Sequence, residues 1–312
     1  MKLYKYTTIS SALDIIDSEG LWMKKPQEFN DIFDCNFKQN DEDKKRIVNL
    51  MKHFAVLSVM DSVSKTREIG KRPIISINKK EISIIKSALK RDPYFDGCPG
   101  FVALFNIMVK KNPAIQTEFN RIMTSYQKEI DEAVEKEKRR ALICCFSERF
   151  DSPLMWSHYS DSHKGVCLEY EVPDDVNYHK VTYQKERPTV FLYKTISHFL
   201  AQAIIDDFRT DKLSIDDMSD LILPFTTKSI DWTYEKEIRY VCSENDYFKH
   251  NIILDSKGKF ILILGKPSKV YIGCRAEQNN LHNDFIKKID DLGIDFVKMK
   301  PSETTFDIIP EK

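Results

Sequence analysis

The chain has 312 residues with 48 Lys and Arg against 48 Asp and Glu, so its formal net charge is zero. No apolar run approaches the ~18 residues that a bilayer span needs, which argues against a helical membrane protein and against membrane partners. Aromatic residues make up 11% of the chain, far more than a disordered sequence carries, so one large or two small packed domains are expected.

Balanced charge removes the sequence-wide argument for a dedicated nucleic-acid binder, although a locally basic face survives the cancellation. The seven cysteines (Cys35, Cys98, Cys144, Cys145, Cys167, Cys242 and Cys274) are odd in number, scattered and free of C-x-x-C spacing. They read as reduced thiols, neither a disulfide framework nor a zinc ribbon. The opening MKLYKYTT turns polar at once and does not read as a secretory signal, so the expected setting is the cytoplasm.

In chain order, Leu3 to Tyr6 reads as a strand. A helix follows, with Ser10 or Ser11 as N-cap, Ala12, Ile15 and Ile16 on its apolar face and Gly20 as its stop. Leu21 to Met23 reads as a second strand running into Pro26 and a loop, Phe29 to Asp34, whose Asn and Asp side chains can bond their own backbone. From about 41 to 140 the texture becomes charged and helical, broken near Pro93, Gly97, Pro99, Gly100 and Pro113, as in a helical insertion. Its last part, Ala114 to Arg140, carries Phe119, Ile122, Met123, Tyr126 and Ile130 on a sparse apolar stripe and reads as a solvated helix.

Apolar stretches at Leu142 to Ser147 and Gly165 to Tyr170 read as strands, with a short helix from Ser152 to Tyr159 between them. Ser197 to Arg209 places Phe199, Leu200, Ala203, Ile204 and Phe208 on one helical face, and Ser214 with Asp217 resembles a capping box. Strands return at Glu237 to Val241, Phe260 to Leu264 and Val270 to Gly273. A helix carrying Leu281, Phe285, Ile286, Ile289 and Leu292 and a strand from Ile294 to Met299 complete the reading. Strands and helices in mixed order, without regular βαβ alternation, predict an α+β fold.

The most informative segment is Asp231 to Tyr240. Glu235 and Glu237, at i and i+2 entering a strand, are expected on the same side of the sheet, where mutual repulsion raises one pKa unless a cation compensates. Such pairs serve acid/base and cation-stabilising chemistry, but E-x-E also occurs at Glu135/Glu137 and Glu169/Glu171, so spacing alone leaves a structural role open. Cys145 to Glu148 followed by Met155 to Tyr159 can line a pocket with a ring to stack on a planar ligand, or Trp156 and Tyr159 can simply face the core. His158, His163 and Cys167 lack a second ligand pair, so no metal site is expected from them. No G-x-S-x-G, Walker loop or G-x-G-x-x-G is present. Glu169 and Glu171, with Asp31 and Asp34, are carboxylates a metal-dependent nuclease could use, but the strand lysine of such a core is missing.

Taken in order, L-Y-K-Y-T-T, E-F-N-D-I-F-D, C-F-S-E with M-W-S-H-Y, K-G-V-C-L-E-Y and W-T-Y-E-K-E-I-R resemble the bacterial family DUF2971, over nearly the whole chain. More distantly the order resembles ADP-ribosyltransferases, whose NAD-binding core opens with a strand bearing His or Arg and ends with a strand-borne Glu, often as E-x-E. That resemblance implies a single ADP-ribosyltransferase-like domain over 1–312, a split mixed β-sheet core with the large helical insertion at about 41–140. It implies NAD+ as co-substrate and a macromolecular acceptor, nucleic acid slightly favoured over protein. A toxin or antiphage-defence role would follow, with an inhibitor or antitoxin protein as a possible further partner. Glu237 and Glu235 are then the catalytic residues, Glu237 stabilising the oxocarbenium-like cation and Glu235 positioning or deprotonating the acceptor. Lys5, at the His position of L-Y-H-Y-T openings, would bind NAD+ with Tyr6 and Thr7 beside it, as a point charge that orients less strictly. Tyr159 would stack on nicotinamide, Ser147 would be the middle-motif residue, and Asn30 with Asp31 would fix the loop under the pocket or simply cap a turn. The alternatives are the metal-dependent nuclease and a non-catalytic binding module whose carboxylates pair with Arg239 and Arg187.

Overall fold

A computed structural model describes residues 1–47, 50, 109–110, 113–173, 177–193 and 222–311. The predicted helical face at 197–209, the capping box at Ser214 and the breaks at residues 93–100 lie outside them. The chain divides into two compact units, one of Met1–Asn36, Glu137–Pro188 and Pro224–Lys312, the other of Phe37–Lys136 and Thr189–Leu223. The second unit thus takes in 189–223 as well as the block expected as an insertion.

In the first unit β1 (Lys2–Thr7) leads into α1 (Ile9–Ser18), whose buried Ile9, Ala12, Ile15 and Ile16 recur at helical spacing. The N-cap is Thr8, not Ser10 or Ser11: its side chain accepts from the Ser11 backbone N–H. The helix ends on Glu19 in the left-handed region (φ 51°), and Gly20 already belongs to β2 (Gly20–Trp22). Gly20 serves a close approach instead, since a Cβ there would lie 2.5 Å from the Ile261 side chain and 2.9 Å from the Leu262 carbonyl.

In the second unit β3 (Lys38–Gln39) pairs in parallel with β8 (Thr189–Val190). Asp43 accepts from the backbone N–H groups of Leu192 and Tyr193, and Arg46 lies over the Tyr193 ring. Helix α2 (Ala114–Arg140) buries Phe119 and closes on Lys138, Arg139 and Arg140, cations that complement its C-terminal dipole. It runs directly into β4 (Ala141–Ser147). Helix α3 (Pro153–Tyr159), capped by the Ser152 side chain, then leads to β5 (Val166–Glu171). Next come β6 (Tyr178–Lys180), β7 (Thr182–Gln184), β9 (Thr227–Ser229) and β10 (Glu237–Ser243). The chain continues through β11 (Ile252–Leu254), β12 (Phe260–Ile263), β13 (Lys269–Ile272) and α4 (His282–Asp291) to β14 (Asp295–Pro301) and β15 (Ile308–Pro310).

The architecture is α+β. A large mixed sheet runs β15-β14-β13-β5-β1-β4-β10-β6, with β13 and β14 parallel and its other neighbours antiparallel. Leu3, Leu142, Cys144, Phe146, Leu168, Ile238 and Tyr240 from one face pack with the buried sides of α1 and α4. The opposite face carries Tyr4, Tyr6, Cys167 and Tyr271 against Trp156 and Met155 of α3. Because the side-chain period of a strand is two, Glu237 and Arg239 of β10 lie on the face opposite Ile238 and Tyr240.

One junction in this sheet differs from the others. β1 pairs with β5 at six register positions and β10 with β4 at seven, but β1 meets β4 only at Tyr4↔Ser147. Beyond that pair the strands part. Ile143 of β4 instead exchanges backbone hydrogen bonds of 2.8 Å with Lys24, and the Cys145 carbonyl accepts from the Lys5 ammonium at 2.8 Å. A lysine side chain thus bonds a β4 carbonyl beside the place where the β1 ladder stops.

Candidate active site in the cleft between β1 and β4

The parted strands border a cleft of about 590 Å³. Its wall includes all eight residues singled out from the sequence: Lys5, Tyr6, Thr7, Asn30, Ser147, Tyr159, Glu235 and Glu237. Asp34 and Lys228 line it as well. A second hollow of about 540 Å³ between α1 and α4 holds charges that pair locally, as Lys288 does with Asp17.

Glu235 and Glu237 converge by a route other than strand alternation. Glu235 ends a 3-10 turn (Ile230–Glu235), Lys236 turns through the left-handed region (φ 46°), and only Glu237 lies on β10. The left-handed kink, not a pleat, brings the carboxylates to one cation. Lys228 Nζ stands 2.6 Å from Glu235 Oε2, 3.4 Å from Glu237 Oε2 and 3.8 Å from Asp34 Oδ2, and 4.7 Å from the Trp232 ring centre. Arg239, fully buried, donates from Nε to Glu237 Oε1 (2.9 Å) and from Nη2 to Glu237 Oε2 (3.0 Å). Its Nη1 and Nη2 also grip Asp34 at 2.8 and 2.7 Å. Tyr159 donates its hydroxyl to Glu235 Oε1 at 2.5 Å, and the Glu237 N–H donates to the Tyr183 hydroxyl at 2.8 Å.

The surroundings drive the two carboxyls apart. For Glu235, burial and the charge of Glu237 raise the pKa above the ordinary value, against the opposing pull of Lys228 and Tyr159. For Glu237 burial acts in the same upward sense, but the charges of Arg239 and Lys228 and the Arg239 hydrogen bonds outweigh it and hold the carboxyl at about 2. Lys228 is raised: burial lowers it, and the Glu237 and Glu235 charges more than reverse that. Two neighbouring carboxyls in different protonation regimes are the arrangement that acid/base and cation-stabilising roles require. With Asp34, Glu235 and Glu237 ionised against Lys228 and Arg239, the buried cluster carries one uncompensated negative charge; protonating Glu235 neutralises it.

Several expected residues have structural duties. Ser147 Oγ donates to the Glu235 carbonyl at 2.6 Å and accepts from the Arg149 N–H, clamping the end of the 3-10 turn onto β4. Tyr6 is buried edge-on against Trp156, with its hydroxyl on the Arg149 carbonyl. Trp156 is fully buried and its indole N–H donates to the Phe150 carbonyl, so of its two readings the core one holds. Thr7 is buried, Asn30 is exposed at the cleft, and Asp31 caps its own turn by accepting from the Phe33 N–H. The four carboxylates of the nuclease reading are not brought together as a set: Asp34 binds Arg239, Glu169 binds Lys2 and Tyr271, Glu171 shares Lys2 with Glu169, and Asp31 caps its own turn. Among the described residues no group of three His, Cys, Asp or Glu side chains is placed to hold a metal. No described helix is long and apolar enough to cross a membrane. Arg239 pairs with Glu237 as the binding-module reading expects, whereas Arg187 lies over the Phe33 ring.

Sequence reasoning missed Lys228 and Tyr183. Lys228 sits in the unremarkable T-K-S of β9 and Tyr183 in β7, and only the parallel ladder that pairs these two residues carries them to Glu237. Residues 155–240 match the family model described as protein of unknown function, DUF2971. This match supports assignment to that family. The matched segment contains Tyr159, Tyr183, Lys228, Glu235, Glu237 and Arg239. Comparison with curated proteins and with solved structures found no match.

Proposed function

We propose that this protein is an NAD+-consuming ADP-ribosyltransferase that modifies a macromolecule, with nucleic acid favoured over protein as the acceptor. The observation that carries the reading is the buried cluster of three carboxyls and two cations at the cleft wall, which is negative by one charge when Glu235 is ionised and then suits a ligand that is or becomes cationic. The nicotinamide ring of NAD+ is a cation, and the ribose gains positive charge as the glycosidic bond breaks.

In this reading the C1′–N bond breaks with its electron pair passing to the nicotinamide ring, and an acceptor lone pair forms the new bond to C1′. Glu237, kept ionised by Arg239, stabilises the positive charge on the sugar. Glu235, the carboxyl whose surroundings favour proton uptake, takes the acceptor's proton. Lys5 commits one of its three N–H donors to Cys145 and turns the others toward ribose or phosphate oxygens. The parting of β1 from β4 supports the split-sheet resemblance, as does the adjacency of β1, β4 and β10, which carry Lys5, Ser147 and Glu237. A role as a toxin or defence effector restrained by an inhibitor protein rests on the resemblance alone.

A second reading draws on the saturation of Glu237 by Arg239: the cluster is structural and the protein is a binding module. Nicotinamide release from NAD+ by purified protein, with and without cellular RNA, DNA and protein, separates the two. Transfer chemistry predicts release that is lost in Glu235→Gln at unchanged stability. A module predicts no release from either form.

A further inference from the structure

We propose that Lys228 is the positioning residue of this site: its ammonium, lodged between the two glutamates, keeps Glu235 ionised and able to accept a proton. The inference deepens the transferase reading and rests on it for its catalytic meaning, but its structural content stands on the cluster itself.

The groups that face Glu235 are few and come from separate elements. Tyr159 of α3 donates to Oε1, Lys228 of β9 donates to Oε2, and Glu237 of β10 repels through space, with Tyr234 of the 3-10 turn and Tyr183 of β7 within electrostatic reach. The Arg239 guanidinium spends its planar fork on Glu237 and Asp34. Lys228 is therefore the cation in hydrogen-bonding contact with Glu235. A lysine suits the place because a compact ammonium with three donors can serve three carboxylates at different distances, which a fixed fork does not. The Trp232 ring lies beside it, its centre 4.7 Å from the ammonium, as a cation–π partner.

The backbone holds this ammonium where it acts. Lys228 pairs in register with Tyr183 across the parallel β7/β9 ladder, and the Tyr183 hydroxyl accepts the Glu237 N–H. One ladder thus fixes both the cation and the start of the strand that carries Glu237. Without the ammonium, Glu235 would keep its burial and its repulsion from Glu237, eased only by the Tyr159 hydroxyl, and would hold its proton at neutral pH.

The test follows the ionisation of Glu235 directly, by carboxyl infrared or carbon NMR titration of the full chain with Glu235→Gln as the blank. Nicotinamide release from NAD+ is measured over the same pH range. In Lys228→Gln the Glu235 midpoint moves to higher pH and release at pH 7 falls about tenfold, recovering at alkaline pH. Lys228→Arg restores part of both. An unchanged midpoint in a folded Lys228→Gln protein overturns the assignment. If neutral variants fail to fold, the wild type decides: the Lys228 ammonium nitrogen resonance must shift with the same midpoint as the Glu235 carboxyl, and independent midpoints overturn the assignment. A moved midpoint in a chain that never releases nicotinamide overturns the transferase reading and leaves the role of Lys228 in place. Normal release with an unmoved midpoint does the reverse.

Discussion

Glu237→Gln removes the carboxylate on which the buried cluster turns. Its carboxyl sits at about 2 instead of the ordinary 4.5, a difference that linkage converts to about 3 kcal/mol of stability at pH 7. Removing one partner of a buried ion pair costs about 3–5 kcal/mol in other proteins, in agreement. The loss is moderated here because Arg239 retains its two bonds to Asp34 and one to the Phe225 carbonyl. The sign with pH is fixed. A carboxyl depressed in the folded state stabilises above its unfolded value, and that stabilisation disappears as pH falls from about 4.5 toward about 2. The gap between wild type and variant is therefore full at pH 7 and narrows below pH 4.5. Trp22, Trp156 and Trp232, all the tryptophans of the chain, lie in the first unit, so urea unfolding followed by tryptophan fluorescence reads that unit alone. A gap under about 1 kcal/mol at pH 7, or one that does not narrow on acidification, refutes the reasoning.

Glu235→Gln runs the other way. Its carboxyl is raised, so ionisation there works against folding as pH rises, and the variant is expected to be as stable as wild type or more so at pH 8 by the same fluorescence assay. Tyr159→Phe removes the hydrogen bond that favours the ionised form of Glu235, so the acid limb of the rate profile for nicotinamide release moves to higher pH. Gly273→Ala places a Cβ 2.3 Å from the His163 carbonyl and 2.7 Å from the Gly165 carbonyl, against a neighbouring turn in which Asp161, Ser162 and His163 are all left-handed. Since backbone cannot yield as a flexible side chain does, loss of about 1–3 kcal/mol or of soluble protein is expected, measured by the same unfolding curve. Trp156→Ala empties a fully buried site and strips the Phe150 carbonyl of its donor, for a loss of about 3–5 kcal/mol.

Much of the strand and helix order was legible because apolar periodicity marks it. β4 and β5 read as near-continuous apolar runs since both of their faces are covered, and α1 and α4 show helical spacing of Ile and Phe. The short strands β6, β7 and β9 escaped detection: three residues of mixed polarity have no period, and long-range pairing forms them. That pairing also hid Lys228 and Tyr183. The glutamate pair was found for a reason that does not hold, since alternation cannot align a residue outside the strand and the left-handed Lys236 does so instead. The N-cap is Thr8 and not the serines because the helix already begins at Ile9, which leaves Ser10 and Ser11 inside its first turn and puts the Ser11 N–H within reach of the Thr8 hydroxyl. Asp34 and Arg239 were both visible in the sequence, the first as a metal ligand and the second as a structural cation. Their bidentate pairing, across 205 positions of chain, is a property of the fold.

The most direct test of the central claim uses NAD+ labelled in its adenylate half. Wild type and Glu235→Gln, matched for folded fraction, are incubated with cellular RNA, DNA and protein, and free nicotinamide and macromolecule-bound label are counted together. The account predicts that wild type releases nicotinamide and attaches label to one acceptor class, and that Glu235→Gln does neither at measurable rate. No release and no label from folded wild type with any acceptor would contradict it and assign the cluster a structural role.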